Sequence, residues 1–344
     1  MSPAWAVDIP ALGFSFLLSL VLTPLVRAAA VKWRLLDHPS SPVKTHEVPT
    51  PVLGGAAIFL SFLTTLFCLR LRTHFPSGTL HSLRALVAGG SLVFALGVAD
   101  DLRKPAGLGF KSKFLVQALA AAVLIWFGIR IRFISPVPVA VALTMLWVVG
   151  ISNALNIIDI MDGLSASQAA AAALAFLLIA LPGERLYVNA ASAALAGASL
   201  GFLPWNLSKK AKIFMGDSGS LFLGFELACV SLGTDYSSVN PLGVYAPLLV
   251  LAIPIFDTVF VAGLRIRKGQ SPFVGSKDHF ALRLERLGWN RRRIVFASAA
   301  ASALLGLCAF LGTTLPRRAA VFLYAAVLAV IAVLARYLSK VPDA

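Results

Sequence analysis

The sequence predicts an all-α, polytopic integral membrane protein on three observations. Of 344 residues, 58% are hydrophobic and only 13% charged. Mean hydropathy is +0.85. The apolar residues fall in long runs separated by mostly short polar loops. A soluble chain carries about a quarter of its residues charged. In lipid only helices and closed barrels satisfy their own backbone, and a helical crossing takes roughly 20 apolar residues.

Eleven spans are expected: Trp5–Val26, Val52–Leu69, Ala85–Ala99, Phe114–Ile129, Val137–Ile151, Ala166–Leu181, Leu186–Leu203, Leu221–Leu232, Val244–Leu264, Ile294–Leu311 and Ala319–Ala335. Several are short of a bilayer and are expected to extend into the loops. Glu226 interrupts the eighth. The whole chain, 1–344, reads as one transmembrane domain. The first basic residue is Arg27, so the first run lacks the positive flank of a cleaved leader and is expected to stay as a span. Cys68, Cys229 and Cys308 each sit in an apolar run at no metal-like spacing and read as packing residues.

The net charge of +15 points to an anionic leaflet rather than to nucleic acid. Loops after odd-numbered spans, with the C-terminal tail, hold 22 of the 30 lysines and arginines. The positive-inside rule then places those loops and the C-terminus in the cytoplasm and the N-terminus outside.

The polar signals gather on that same side. The first cytoplasmic loop carries Asp37, Lys44, His46 and the pair Gly54–Gly55. The second opens with Asp100–Asp101 and continues through Arg103, Lys104, Lys111 and Lys113. The third is NALNIIDIMDGLS, Asn153 to Ser165, in which Asp159 and Asp162 share a face on a helical turn, with Asn153 and Asn156 before them. The fourth contains KIFMGDSGS, with Phe214 and Asp217; the fifth contains SPFVGSKDHFALRLERLGWNRRR, with His279. Ionisable groups at a membrane are expensive and point to function. Clustered carboxylates with interleaved lysines suit a hard cation such as Mg²⁺ bridging substrate phosphates, the arrangement phosphoryl-group transfer requires. Each piece also has a plainer reading. Asn153–Ser165 alone is a polar hinge, Asp-Asp at a helix end is a solvated cap, GDSGS is a turn with an Asp cap, and His279 in a basic loop is a surface residue. Phe280, Leu284 and Leu287 fall on one helical face with Arg283 and Arg286 on another, which predicts a segment resting on the membrane surface.

Taken in order, the motifs resemble the polyprenyl-phosphate N-acetylhexosamine-1-phosphate transferases of the WecA/MraY type. They are Pro49–Gly55 (PxPxxGG), Asp100–Asp101, Lys111/Lys113/Gln117, the NxxNxxDxxDG element, FMGDSGS, PIFDT around Asp257 and the SPF…His279 loop. The resemblance implies transfer of a sugar phosphate from a UDP-N-acetylhexosamine to undecaprenyl phosphate, with release of UMP, at a bacterial cytoplasmic membrane. It implies Mg²⁺ or Mn²⁺ as cofactor, with Asp217 and Asp100 as ligands. Asp100, Asp101 and Asp217 would be catalytic. Lys44, Lys104 and Lys113 would neutralise phosphates. Asn153, Asn156, Asp159, Asp162, Phe214 and His279 would bind substrate, Phe214 by stacking on uracil. Membrane lipids and a second copy of the chain are further partners in this reading. The chain departs from the family's DGxDG at Ile160, from the Pro-Ala before FMGD at Lys210-Ala211, and from a three-histidine run, of which only His279 remains. That last departure favours a UDP-GlcNAc donor over the alternative, UDP-MurNAc-pentapeptide. A secondary transporter is the rival class, although its acids would lie near the midplane in repeated halves.

Single cysteines near Asp101, Lys210 and Lys277, in a background without the three native ones, should be shielded from an impermeant thiol reagent in intact cells. Cysteines near Ser77 and Asn240 should label. Labelling of the Asp101 or Lys210 loop from outside would invert the orientation.

Overall fold

The computed structural model describes residues 5–39, 48–73, 75–104, 106–183, 186–272 and 276–342. The elements are α1 (Trp5–Lys32), β1 (Leu36–Asp37), β2 (Thr50–Pro51), α2 (Gly54–Arg72), α3 (Ser77–Asp101), α4 (Phe110–Trp126), α5 (Val137–Ile157), α6 (Leu164–Ala180), α7 (Leu186–Asn206), α8 (Asp217–Ser231), α9 (Ala246–Val250), α10 (Ala252–Arg267), α11 (Phe280–Arg286), α12 (Arg291–Thr314) and α13 (Arg317–Ser339). β1 and β2 form one short antiparallel ladder, Leu36 opposite Pro51.

Every expected run is helical, but length does not give eleven crossings. Seven helices (α1, α2, α3, α5, α7, α12 and α13) are long and apolar enough to cross alone, and an eighth crossing arises if the chain from Pro241 to Arg267 counts as one. That stretch is bent by 71° at the break between α9 and α10. The others are short: α4 and α6 have 17 residues and α8 has 15. At 1.5 Å per residue these reach about 23–26 Å, less than the ~30 Å hydrocarbon core.

α8 is the axis of the bundle. Every residue from Ser218 to Ser231 is buried, enclosed by α2, α3, α5, α6 and α7. A helix apolar around most of its circumference is stable only in such a place. Close approach is possible because its contacts are glycines. A Cβ on Gly55 would fall on the Gly219 backbone, one on Gly97 on the Ser218 backbone, and one on Gly224 2.6 Å from the Ser152 Cα. Ser152 Oγ also donates to the Leu221 carbonyl at 2.8 Å. The edge of Phe222 meets the rings of Phe59 and Phe62 at 5.3 and 5.5 Å. Glu226, expected to interrupt this run, does not: the helix continues through it with the carboxyl wholly buried, and neither oxygen has a partner among the described residues.

α1 lies along α7, where Ser15 and Ser19 donate to the carbonyls of Ala194 and Ala198 at 2.6 and 2.7 Å. α13 is peripheral, with only Ala320 and Leu338 buried. Its remaining apolar surface suits lipid.

The segment expected on the membrane surface is α11, and here the expectation is corrected. Arg283 is 1% exposed. Its guanidinium donates to Asp278 Oδ1 at 2.9 Å and to the carbonyls of Leu338 and Val341 at 3.1 and 2.6 Å. The helical-wheel pattern assigned Arg283 to water, but it fastens this loop to the end of α13, where free carbonyls attract a cation.

Alanine at Gly55 or Gly97 should lower stability by about 1–3 kcal/mol, the usual cost of overpacking. Gly150→Ala, where a Cβ meets nothing within 4 Å, should be neutral or mildly stabilising. Thermal melts of detergent-purified protein read the contrast.

Candidate functional site

The site is assembled around the first turn of α8. The Asp101 carboxylate, at the end of α3, accepts the Asp217 and Ser218 amides, each at 3.0 Å. It thereby satisfies two of the N–H groups that a helix start leaves open. Gly216 (φ +76°) makes the turn, and the Asp101 carboxylate occupies the place of its missing Cβ. A second support comes from the PxPxxGG stretch. Phe214 N donates to the Pro51 carbonyl at 2.8 Å, while the amides of Gly54 and Gly55 donate to the carbonyls of Phe214 and Met215 at 2.9 and 2.8 Å. Two distant motifs are thus one ladder, and Gly97 lets α3 close against it.

Asp100, Asp101, Lys104, Lys113 and Asp217 form one network. Lys113 Nζ lies 3.0 Å from Asp100 Oδ1 and 2.6 Å from Asp217 Oδ2. Lys104 Nζ lies 2.8 Å from Asp101 Oδ1 and 3.5 Å from Asp217 Oδ1. The Leu108 amide donates to Asp100 Oδ1 at 2.6 Å. Burial pulls the Lys104 ammonium down, but Asp101 and Asp217 outweigh it and hold its pKa above the ordinary lysine value. Among the described residues no three His, Cys, Asp or Glu side chains form a metal cage. The donor set nevertheless fits Mg²⁺, which takes one or two carboxylates plus substrate phosphates. Asp100 and Asp217 already bracket a cation, the Lys113 ammonium. Asp101 spends both oxygens on α8. Lys44 lies outside the described residues.

The segment after α5 adds a second group. Asp162 pairs with Lys212 at 2.5 Å, and the Lys212 ammonium stands 5.0 Å from the centroid of the half-buried Phe214 ring. Asn206 ties these turns together, accepting the Gly163 amide at 2.6 Å and donating to the Ile213 carbonyl at 2.9 Å. Asn156 donates to Ser220 Oγ at 2.9 Å. Asn153 is engaged elsewhere, its amide donating to Gln117 Oε1 at 2.6 Å and to the Val149 carbonyl at 2.7 Å. It joins α5 to α4. Burial pushes the Asp159 carboxyl up to about 7; Lys104 opposes this, and Asp217, Asp162 and Asp101 add to it.

The plainer reading of His279, a surface residue, is corrected. His279 is 6% exposed, and its Nδ1 lies 2.7 Å from Asp257 Oδ2 while the Phe280 amide donates to Asp257 Oδ1 at 2.9 Å. The Asp257 of PIFDT therefore anchors the fifth loop, and His279 makes its close contact there rather than with the Asp100–Asp217 network. Sequence reasoning assigned no role to Lys212, the first residue of KIFMGDSGS, or to Asn206, which entered only through its spacing to that motif.

A group whose folded pKa is raised binds its proton more tightly in the folded state, so ionisation opposes folding. Asp159 should make stability fall as pH rises from about 4 to about 7. Asp159→Asn should flatten that slope and melt above wild type at pH 8. Parallel pH profiles of the two proteins would show that Asp159 does not titrate there.

Residues 83–235 match the model described as "Glycosyl transferase family 4". The chain is 34% identical over 291 residues, 82% of its own length and 78% of the relative's, to a probable undecaprenyl-phosphate N-acetylglucosaminyl 1-phosphate transferase of Bacillus subtilis (strain 168). It is 32% identical over 283 residues, 73% of its length and 69% of the relative's, to the decaprenyl-phosphate N-acetylglucosaminephosphotransferase of Mycobacterium tuberculosis (strain H37Rv). It is 27% identical over 303 residues, 84% of its length and 80% of the relative's, to the undecaprenyl-phosphate alpha-N-acetylglucosaminyl 1-phosphate transferase of Escherichia coli (strain K12). These likenesses leave no place for the transporter reading: the chain belongs to glycosyl transferase family 4, as an enzyme of the polyprenyl-phosphate HexNAc-1-phosphate transferase type.

Proposed function

We propose that the protein transfers GlcNAc-1-phosphate from UDP-GlcNAc to undecaprenyl phosphate at the cytoplasmic face of a bacterial inner membrane, releasing UMP and starting a cell-envelope polysaccharide. The observation that carries this reading is the Asp100–Lys113–Asp217–Lys104 network at the start of α8. Two phosphate-bearing substrates must meet in such a reaction, and their repulsion is the first obstacle. Lys104 and Lys113 stand where they can exchange carboxylate oxygens for phosphate oxygens. Mg²⁺ would be held by Asp217 and Asp100, supplying charge neutralisation on the diphosphate. Asp101 is the positioning residue that fixes the Asp217 backbone. Phe214 offers a ring face for uracil, and Asp162 and Lys212 flank it. Asp159, near neutrality, can donate or accept a hydrogen bond.

The eleven-span topology belongs to this proposal. It places the starts of α4, α6 and α8 on the same side as the ends of α3, α5 and α7. The short helices then start at the cytoplasmic interface, where the site needs access to water and UDP-sugar.

The donor follows from the fifth loop. Only His279 occupies the place of the three-histidine run, and its Nδ1 is committed to Asp257. The neighbouring Phe280, Ala281 and Leu282 are buried and cannot recognise a donor peptide.

Purified protein with undecaprenyl phosphate should release UMP from UDP-GlcNAc in the presence of Mg²⁺, stop on chelation, and leave UDP-MurNAc-pentapeptide essentially untouched. Asp217→Asn should abolish turnover while the protein still folds: Asp101 rather than the Asp217 side chain caps α8, and the melt should fall only by the lost pairing with Lys113 and Lys104. If Asp217 were only a cap, its loss would cost roughly 1 kcal/mol of stability and spare activity. Transfer from the pentapeptide donor with UDP-GlcNAc inert would overturn the donor assignment.

A further inference from the structure

The end of the molecule opposite this network holds a cavity of about 1060 Å³. Its walls come from the start of α3, the segment after α4, the first turns of α5 and the end of α8. Ser231 lines it, about 21 Å along α8 from Asp217 at 1.5 Å per residue. It is therefore no part of the site already described.

Two cations face this space. Arg130 and Arg132 both line it, Arg130 half-buried, and neither has an ion pair or hydrogen bond among the described residues. Asp235 also lines the cavity, and its Oδ1 accepts from Ser237 N and Oγ at 3.0 Å each. The arginine segment is held in place: the Ile131 amide, between the two arginines, donates to the buried Thr144 Oγ1 at 3.0 Å. Two further lining residues are joined, Trp147 Nε1 donating to Ser231 Oγ at 2.8 Å. Leu143 and Leu248 also line the cavity and are 36% and 45% exposed at the molecular surface. The space therefore joins a cationic floor to an apolar side open toward lipid. Guanidinium groups without carboxylate partners select phosphate oxygens, bidentately where geometry allows. A ligand filling both halves carries a phosphate and hydrocarbon chains.

We propose that this cavity binds an anionic phospholipid, its phosphodiester on Arg130 and Arg132 and its acyl chains along Leu143 and Leu248. The site is separate from the polyprenyl-phosphate reaction and stands whether or not the donor assignment does.

Native mass spectrometry of the full chain, released from vesicles of equal phosphatidylglycerol and phosphatidylcholine, tests it. One phosphatidylglycerol should be retained in preference. The pair Arg130→Gln and Arg132→Gln should weaken retention about 30-fold, from ~1 kcal/mol per basic residue. The pair Arg317→Gln and Arg318→Gln removes two exposed arginines that do not line the cavity and should leave retention unchanged. If the first pair fails to fold, Arg132→Gln alone, at an exposed position, should weaken retention about fivefold. Equal retention of the two lipids, or equal loss in both arginine pairs, would overturn the proposal. So would displacement of the lipid by millimolar inorganic phosphate, which would indicate a small-anion site.

Discussion

The structure depends on one capping interaction, the Asp101 carboxylate on the first two amides of α8. A helix start buried in a membrane protein presents amides that water cannot satisfy, and each unmet donor costs a sizeable desolvation penalty. Asp101 meets two of them with both of its oxygens, and its charge faces the positive end of the helix dipole. Gly216, Gly97 and Gly55 make the approach possible by having no side chain in the way. The consequence reaches the chemistry. Of the three neighbouring acids, Asp101 is committed to the α8 amides and Lys104, and Asp100 and Asp217 together face Lys113.

Their present cation is a lysine ammonium, which explains how so many acids share one interface. Removing either partner of a desolvated ion pair leaves an uncompensated charge, so a stable empty site requires near balance. Lys104, Lys113 and Lys212 provide it against Asp100, Asp101, Asp217 and Asp162. Asp159 has no such lysine at bonding distance among the described residues, and its proton rather than an ion pair limits the excess negative charge. A diphosphate arriving with a divalent cation brings both signs at once. Under the proposed function the lysines would turn to phosphate and the carboxylates would hold the metal, so that no buried charge is left without a partner.

Much of the arrangement was legible in the sequence, for identifiable reasons. Apolar runs give helices because lipid leaves the backbone no alternative, and every run is helical. The motifs after α3, α5 and α7 converge because they sit at alternate helix ends. Partners across the fold were not legible. Asn153 looked like a member of the substrate group, yet it pairs with Gln117. His279 reads from the sequence as a substrate-binding residue or, more plainly, a surface one, yet it is buried with its ring on Asp257, a distant acid within an apolar run. Arg283 fell on the polar side of a helical wheel, yet Asp278 and the carbonyls ending α13 enclose it. Local periodicity reports which face a residue occupies and is silent about what lies opposite.

The same pairings explain why the fifth loop is part of the framework. Asp257 lies on α10 and holds both the His279 ring and the Phe280 amide. Arg283, one turn further on, reaches the final carbonyls of α13. The loop is thus tied at one end to the broken helix pair and at the other to a helix whose remaining length is nearly all exposed. Lys268 adds a third tie through Asp278 at 2.9 Å, and Lys268 and Arg283 hold that carboxyl at about 2 against the opposing effect of burial. At any physiological pH Asp278 is ionised and both ties persist. α13 contributes little to the packed core, and its structural role is at its C-terminal end, where it fixes the orientation of the segment that carries His279.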